Sequence, residues 1–83
     1  MSSHIKIYTT YSCPYCVKAK SFFSRNSLRY EEVDLTNNYE EIDRLKEKTG
    51  HRTVPLIFVD GVFVGGYSDM IEKINNGQLT LKN

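Results

Sequence analysis

The sequence predicts one α/β domain, residues 1–83, in which a four-stranded mixed sheet is flanked by three helices in the order β-α-β-α-β-β-α. The length of 83 residues leaves room for a single hydrophobic core. Apolar residues recur with the two-residue period of strands in some segments and with helical spacing in others. An Asp-Gly pair between two apolar runs indicates a tight hairpin. With 40% apolar residues, the chain is neither disordered nor fibrous.

The first half of the chain predicts a strand, a helix and a second strand. Residues 5–8 alternate with period two and include β-branched side chains, which favours a strand. Residues 14–26 carry apolar side chains at the spacing of an amphipathic helix, namely Cys16, Ala19, Phe22 and Phe23. Pro14 suits the first helical position, and Asn26 is the expected left-handed terminator. Residues 29–35 follow in the position of the second strand.

The next segment predicts a helix and a hairpin. Residues 38–48 carry acidic side chains early and lysines late, which matches the helix dipole, and Gly50 ends the segment. Residues 56–59 and 62–64 flank Asp60-Gly61 as the two strands of the hairpin.

The last segment predicts a short third helix and a tail. The helix contains Met70, Ile71 and Ile74 and ends at Asn76-Gly77. The polar tail from Gln78 to Asn83 is expected to be loosely held. Because a βαβ crossover is right-handed, few assemblies of these elements are possible.

Charge and hydropathy exclude several classes of partner. Eleven basic and ten acidic residues give a net charge of +1, which provides no broad surface for nucleic acid or anionic lipid. No apolar run approaches the length of a membrane helix, and the first residues lack the apolar stretch of a secretory signal. We therefore expect a cytoplasmic monomer that contacts neither nucleic acid nor membrane.

Two cysteines, Cys13 and Cys16, stand where the first strand meets the first helix. The Cys13 sulfur would lie beside unpaired N–H groups at the positive end of the helix dipole, which favours the thiolate. A free cysteine titrates at about 8.5, and such surroundings lower that value. Cys16 falls one turn later on the inward stripe of the helix, so we expect it to be more buried. Cys13 is the predicted attacking thiolate, and Cys16 is the predicted resolving thiol.

Two other uses of the cysteine pair fit the sequence less well. A zinc site needs two further ligands, but the chain has no other cysteine, and His4 and His51 are far apart, so no metal is expected. A structural staple would close too short a loop to gain much chain entropy. Redox chemistry is the preferred interpretation, although the motif does not identify the reductant.

Two further segments are candidates for binding. If the Pro55 peptide bond is cis, the backbone of Val54 in Thr53-Val54-Pro55 can pair with an extended peptide, and a plain strand-start proline is the alternative. Gly65-Gly66 before Tyr67-Ser68-Asp69 fits either a capped loop or an anion site at a helix start. His4, His51 and Glu31-Glu32 are interpreted as surface residues because no partner of useful spacing accompanies them.

In order, spacing and context, Cys13-Pro14-Tyr15-Cys16, Thr53-Val54-Pro55 and Gly65-Gly66-Tyr67-Ser68-Asp69 resemble the dithiol glutaredoxins, which have a thioredoxin-like fold. The resemblance covers essentially the whole chain. It implies that Pro55 is cis and that the protein reduces protein disulfides and glutathione mixed disulfides. It also implies glutathione as the reducing co-substrate, with no tightly bound cofactor.

Carried over by position, the resemblance implies a glutathione groove where the three motifs meet. Tyr15 would flank the glutathione, and Val54 would pair with its cysteinyl backbone. Thr53 and Pro55 would line the wall. The residues that would hold the γ-glutamyl end are Tyr67, Ser68 and Asp69, beside Gly66.

Two positions depart from the family pattern. Members often carry a lysine three residues before the first cysteine, where this chain has Thr10. A polar or basic residue common on the second helix is replaced by Ile42. Both positions bear on the glycyl carboxylate of glutathione, for which the candidate substitute cations are Arg52, Lys18 and Lys20.

Two alternative functions remain open at this stage. One is a glutaredoxin-shaped electron carrier that is reduced by thioredoxin reductase and serves ribonucleotide reductase, which would explain Thr10. The other is an iron–sulfur cluster carrier that bridges two chains through Cys13, which Pro14 disfavours. Disulfide-containing or glutathionylated proteins are the expected partners of the oxidoreductase.

Overall fold

A four-stranded sheet and three helices form the protein, as a computed structural model of residues 3–82 describes it. The strands are β1 (Ile5–Thr9), β2 (Tyr30–Asp34), β3 (Leu56–Val59) and β4 (Val62–Gly65), and the helices are α1 (Pro14–Arg25), α2 (Tyr39–Thr49) and α3 (Tyr67–Asn75). The predicted element order is confirmed. Met1, Ser2 and Asn83, which the predicted domain of residues 1–83 includes, lie outside the described residues.

The sheet has the strand order β2-β1-β3-β4. β1 pairs in parallel with β2 through the α1 crossover and antiparallel with β3, and the β3–β4 hairpin completes the sheet. β1 lies inside the sheet, so its carboxyl end, where the cysteine motif begins, is flanked by neighbouring strands. The predicted mixed sheet is confirmed.

The sheet separates two apolar clusters. The larger cluster lies on the α1 and α3 side and contains Ile5, Ile7, Ala19, Phe23, Leu28, Ile57, Val59, Val64 and Met70. The smaller cluster involves α2 and contains Leu35, Ile42, Leu45 and Leu56. Because alternate residues of β3 point to opposite faces, Leu56 and Ile57 contribute to different clusters.

The end of α1 differs from the prediction. Asn26 has φ −101°, and the left-handed residue is Ser27 with φ +55°. The Leu28 N–H donates to the Phe23 carbonyl at 2.8 Å, and Leu28 is only 8% exposed. The left-handed turn comes one residue later than predicted, and it carries Leu28 into the core.

The other predicted turns agree with the structure. Asn38 caps α2, since its side chain accepts the Glu41 N–H at 3.2 Å, and Gly50 ends α2 with φ +74°. Asp60 and Gly61 both have positive φ and join β3 to β4 as a two-residue hairpin.

The expectation of a loosely held tail is wrong for the described part of it. The Ser3 N–H donates to the Lys82 carbonyl at 2.9 Å, and the Lys82 N–H donates to Ser3 Oγ at 2.9 Å. Leu79 and Leu81 pack against the larger cluster. These two leucines dock a segment whose overall composition is polar.

Helix length and hydropathy also bear on membrane association. Within residues 3–82, each helix is too short or too polar to cross a bilayer.

Candidate active site

Cys13 and Cys16 lie at the start of α1, directly after the turn that follows β1. The two residues are joined as a disulfide, and their Cα atoms are 5.2 Å apart. Cys13 is partly exposed, whereas Cys16 is 2% exposed on the inward face of α1. An external thiol or disulfide therefore has better access to the Cys13 sulfur.

The Cys13 sulfur caps the N-terminus of α1. It accepts the Cys16 N–H at 3.1 Å, and the Cys13 carbonyl accepts the Val17 N–H at 3.1 Å. An N–H group aimed at the sulfur, together with the positive end of the helix dipole, stabilises negative charge there. This geometry favours a Cys13 thiolate once the disulfide is reduced.

A groove of about 240 Å³ lies near the Cys13–Cys16 disulfide, although neither cysteine is among the residues that line it. All of the residues that the resemblance placed in a glutathione groove line it, together with His51: Tyr15, Thr53, Val54, Pro55, Gly66, Tyr67, Ser68 and Asp69. The Val54–Pro55 peptide bond is cis, as the resemblance implies. The Cys13 sulfur lies 3.8 Å from the carbonyl oxygen of Val54, so the reactive atom is next to one of the residues that line the groove.

The start of α3 forms one wall of the groove. The Gly66 N–H donates to Asp69 Oδ2 at 3.0 Å, which orients the carboxylate at the helix N-terminus. The rings of Tyr15 and Tyr67 lie with centroids 6.1 Å apart and bring α1 close to α3. A wider and more open depression of about 510 Å³ runs along α3, and it shares only Tyr67 and Ser68 with the groove.

His51 is a groove residue that the sequence reasoning missed. Its Nε2 lies 3.3 Å from Thr53 Oγ1, and its Nδ1 lies 3.9 Å from Asp69 Oδ2. The side chain is 23% exposed, so the interpretation of His51 as a surface residue is wrong. Its position two residues before Thr53 is the one sequence signal that pointed to the groove. His4, Glu31 and Glu32 are exposed, as expected.

The candidate cations occupy different environments. Lys20 Nζ lies 2.9 Å from Glu32 Oε2, which also accepts a hydrogen bond from the Thr9 hydroxyl at 2.8 Å. Lys20 therefore forms an ion pair with Glu32 of β2. These two hydrogen bonds, first from Lys20 and then from Thr9, hold the pKa of Glu32 below its ordinary value. Lys18 Nζ lies 5.0 Å from the centroid of the Tyr15 ring and is therefore at the edge of the groove.

The two departures from the family pattern differ in burial. Ile42 is 7% exposed within the smaller cluster, where it packs as a core residue, whereas Thr10 is partly exposed. Arg52 is exposed beside Thr53. Residues 3–82 contain no group of three or more His, Cys, Asp or Glu side chains arranged to hold a metal ion.

Comparisons with known proteins give a consistent result. The family model described as "Glutaredoxin" matches residues 5–64. Glutaredoxin 1 of Rickettsia typhi is 40% identical over 77 residues, which cover 90% of this chain and 74% of that protein. The crystal structure of a buckwheat glutaredoxin–glutathione complex superposes with a TM-score of 0.81 at 29% identity, covering 90% of this chain and 71% of that chain. Oxidised glutaredoxin 2 from Chlamydomonas reinhardtii superposes with a TM-score of 0.77 at 36% identity, covering 93% and 76%.

Proposed function

Because the chain belongs to the glutaredoxin family and is therefore a thiol-disulfide oxidoreductase, we propose that it reduces protein disulfides and glutathione mixed disulfides at the expense of glutathione. The observation that carries this proposal is the groove beside Cys13, which is lined by every residue expected to bind glutathione. The buckwheat relative that forms a glutathione complex supports the same assignment.

The first half of the proposed reaction moves two electrons from the dithiol to the substrate. The Cys13 thiolate attacks one sulfur of a substrate disulfide, forms a mixed disulfide and releases the other sulfur as a thiolate, which takes up a proton. The Cys16 thiol loses its proton and attacks the Cys13 sulfur. This step releases the second substrate thiol and leaves the Cys13–Cys16 disulfide seen in the structure. When the substrate is glutathionylated, the glutathionyl sulfur is the one that joins Cys13.

The second half restores the dithiol with two molecules of glutathione. The first glutathione thiolate attacks the Cys13 sulfur, which is the more exposed one, and releases Cys16 as a thiol. The second attacks the sulfur of the bound glutathione, which yields glutathione disulfide and the Cys13 thiolate. The N–H of Cys16 and the helix dipole stabilise Cys13 as the leaving group in this last step.

The groove residues orient glutathione for these exchanges. In this proposal, the Val54 backbone pairs with the cysteinyl backbone of glutathione, and the 3.8 Å distance between the Val54 carbonyl oxygen and the Cys13 sulfur supports that role. The α3 N-terminus and the half-exposed Asp69 carboxylate hold the charged γ-glutamyl end in this proposal, which the hydrogen bond from the Gly66 N–H to Asp69 supports. Tyr15 flanks the bound peptide, Thr53 and Pro55 line the wall, and no tightly bound cofactor takes part.

A second candidate function is favoured by one observation. Ile42 is buried in an apolar cluster, and Thr10 carries no charge, so neither supplies the carboxylate contact that glutathione would use there. A reductase of the thioredoxin reductase class would then restore the dithiol, with ribonucleotide reductase as the electron acceptor. Recovery of the oxidised protein with glutathione alone, measured against recovery with that reductase and NADPH, distinguishes the two reductants.

The cellular setting belongs to the same proposal. A dithiol that glutathione returns to its reduced form works in a reducing compartment, and on that ground we assign the chain to the cytoplasm. The monomeric state and the single domain of residues 1–83 are part of the same proposal and rest on the length of the chain.

The proposal is tested with two serine variants in a glutathione-coupled assay. Cys13→Ser should lose reduction of both protein disulfides and glutathione mixed disulfides, because the attacking sulfur is gone. Cys16→Ser should lose protein disulfide reduction and keep deglutathionylation, because glutathione itself completes that exchange. Retained activity in Cys13→Ser would sink the assignment.

A further inference from the structure

His51 links two walls of the groove that come from distant parts of the chain. Its imidazole lies between the Thr53 hydroxyl before β3, at 3.3 Å from Nε2, and the Asp69 carboxylate of α3, at 3.9 Å from Nδ1. The carboxylate only accepts hydrogen bonds, whereas the Thr53 hydroxyl can donate one to Nε2. The two neighbours therefore favour an imidazole with its proton on Nδ1, on the side of Asp69, where the 3.9 Å contact is electrostatic and longer than a hydrogen bond.

The imidazole is held in place on several sides. Its ring packs edge-on against Phe63 of β4, with centroids 5.6 Å apart. A Cβ at Gly66 would lie 3.1 Å from Nε2, which shows how closely the ring approaches that backbone. The His51 N–H also donates to Thr49 Oγ1 at 3.2 Å, which anchors its backbone at the end of α2. A ring with these contacts has little freedom to turn away from Asp69.

The contacts on Asp69 fall on one oxygen. Oδ2 accepts the Gly66 N–H at 3.0 Å and is the atom that faces His51. Within residues 3–82, Oδ1 accepts no hydrogen bond, and the Asp69 side chain is 52% exposed at the groove. The two contacts on Oδ2 fix the orientation of the carboxylate. Oδ1 therefore remains available to accept a hydrogen bond from a ligand in the groove.

We propose that His51 is a positioning residue of the glutathione site, which fixes the Asp69 carboxylate so that Oδ1 accepts the γ-glutamyl ammonium group. This inference rests on the glutathione dependence proposed above. His51 acts through Asp69 and through Thr53, and it has no part in the exchange at sulfur. Its effect should therefore appear in the affinity for glutathione and not in the rate at saturation.

The experiment measures steady-state turnover of a glutathione mixed-disulfide substrate over a range of glutathione concentrations. His51→Ala should raise KM for glutathione by about three- to tenfold, the range expected for one coupled polar contact, with kcat within about twofold of the native value. His51→Gln, which keeps a donor and an acceptor, should return KM to within about twofold of native. His4→Ala, which alters a 67% exposed histidine, is the matched control and should leave both constants unchanged.

A double-mutant cycle separates positioning from direct contact with glutathione. In an Asp69→Asn background, His51→Ala should raise KM by less than about twofold, because the carboxylate that His51 orients is already lost. An equal rise in both backgrounds would overturn the positioning role, as would an unchanged KM in His51→Ala. A fall in kcat without a change in KM would also overturn it.

The native chain provides the check on the premise. If the native protein reduces the substrate with glutathione and the His51 variants have the native KM and kcat, only this inference is refuted. If the native protein does not reduce the substrate with glutathione, both the inference and the proposed function are refuted.

Discussion

Gly65→Ala should disrupt the start of α3 and the proposed glutathione site together. Gly65 has φ +123°, a conformation that residues with a side chain rarely adopt. A Cβ at this position would also lie 2.6 Å from both Cβ and Oδ2 of Asp69. The substitution therefore displaces the carboxylate that accepts the Gly66 N–H.

The size of the effect follows from two contributions. The unfavourable backbone conformation costs about 1–3 kcal/mol. Displacing Asp69 removes a contact at the helix start that is worth about 0.5–2 kcal/mol. The free energy of unfolding should fall by about 1.5–5 kcal/mol in total, and KM for glutathione should rise because Asp69 no longer faces the groove.

Gly61→Ala is the matched control. Gly61 has φ +83°, but an added Cβ would meet nothing within 4 Å, so this variant carries the backbone cost alone. Any entropic effect of Gly→Ala on the unfolded chain is shared by both variants. Urea unfolding followed by circular dichroism gives the stability difference, and a glutathione titration of the turnover rate gives KM.

The reasoning would be refuted if the two glycine variants lost the same stability. Equal losses would show that the close approach of Gly65 to Asp69 has no energetic consequence. An unchanged KM in Gly65→Ala would further contradict the role proposed for Asp69.

Three other predictions concern the missing cation, a charged network and the tail. Thr10→Lys should lower KM for glutathione by about two- to fivefold in the same turnover assay, because a cation near Cys13 attracts the glycyl carboxylate. Glu32→Gln should lower the free energy of unfolding at neutral pH by at most about 1 kcal/mol, since solvent screens the Lys20 and Thr9 contacts. Because the folded pKa of Glu32 is below its ordinary value of 4.5, this difference should be present above pH 4.5 and vanish as the pH falls through the folded pKa, which urea titrations over that range can measure. Leu81→Ala should cost about 1–2 kcal/mol in thermal or urea unfolding if the tail is docked, and no loss would contradict the docking.

Local patterns in the sequence were sufficient for every element except β2, which was predicted from its position in the order. The alternation in residues 5–8, the charge gradient of α2 and the Asp60-Gly61 turn each depend on neighbours within a few positions. The left-handed residue at the end of α1 was misplaced because its position is set by the burial of Leu28 in the core. Likewise, the tail is docked by contacts of Leu79 and Leu81 with elements far away in the sequence, which composition alone does not reveal.

The candidate site was predictable in a different way. The unequal exposure of Cys13 and Cys16 follows from helical spacing, but the groove residues came from the family resemblance of three motifs. Neither helical spacing nor the family resemblance identified His51, because its contact with Asp69 forms only when the loop before β3 packs against the start of α3. The glutathione-binding roles assigned to the groove residues stay predictions, which measurements of glutathione affinity in variants of these residues test.

The most direct test of glutathione-dependent exchange at Cys13 uses the Cys16→Ser variant incubated with glutathione disulfide. Mass spectrometry with peptide mapping should find one glutathionyl group on Cys13, and NMR should show the largest amide shifts at Val54 and at the start of α3. A variant that gains no glutathionyl group would contradict the account. So would a glutathionylated protein whose shift changes are confined to the neighbourhood of Cys13 and spare the groove.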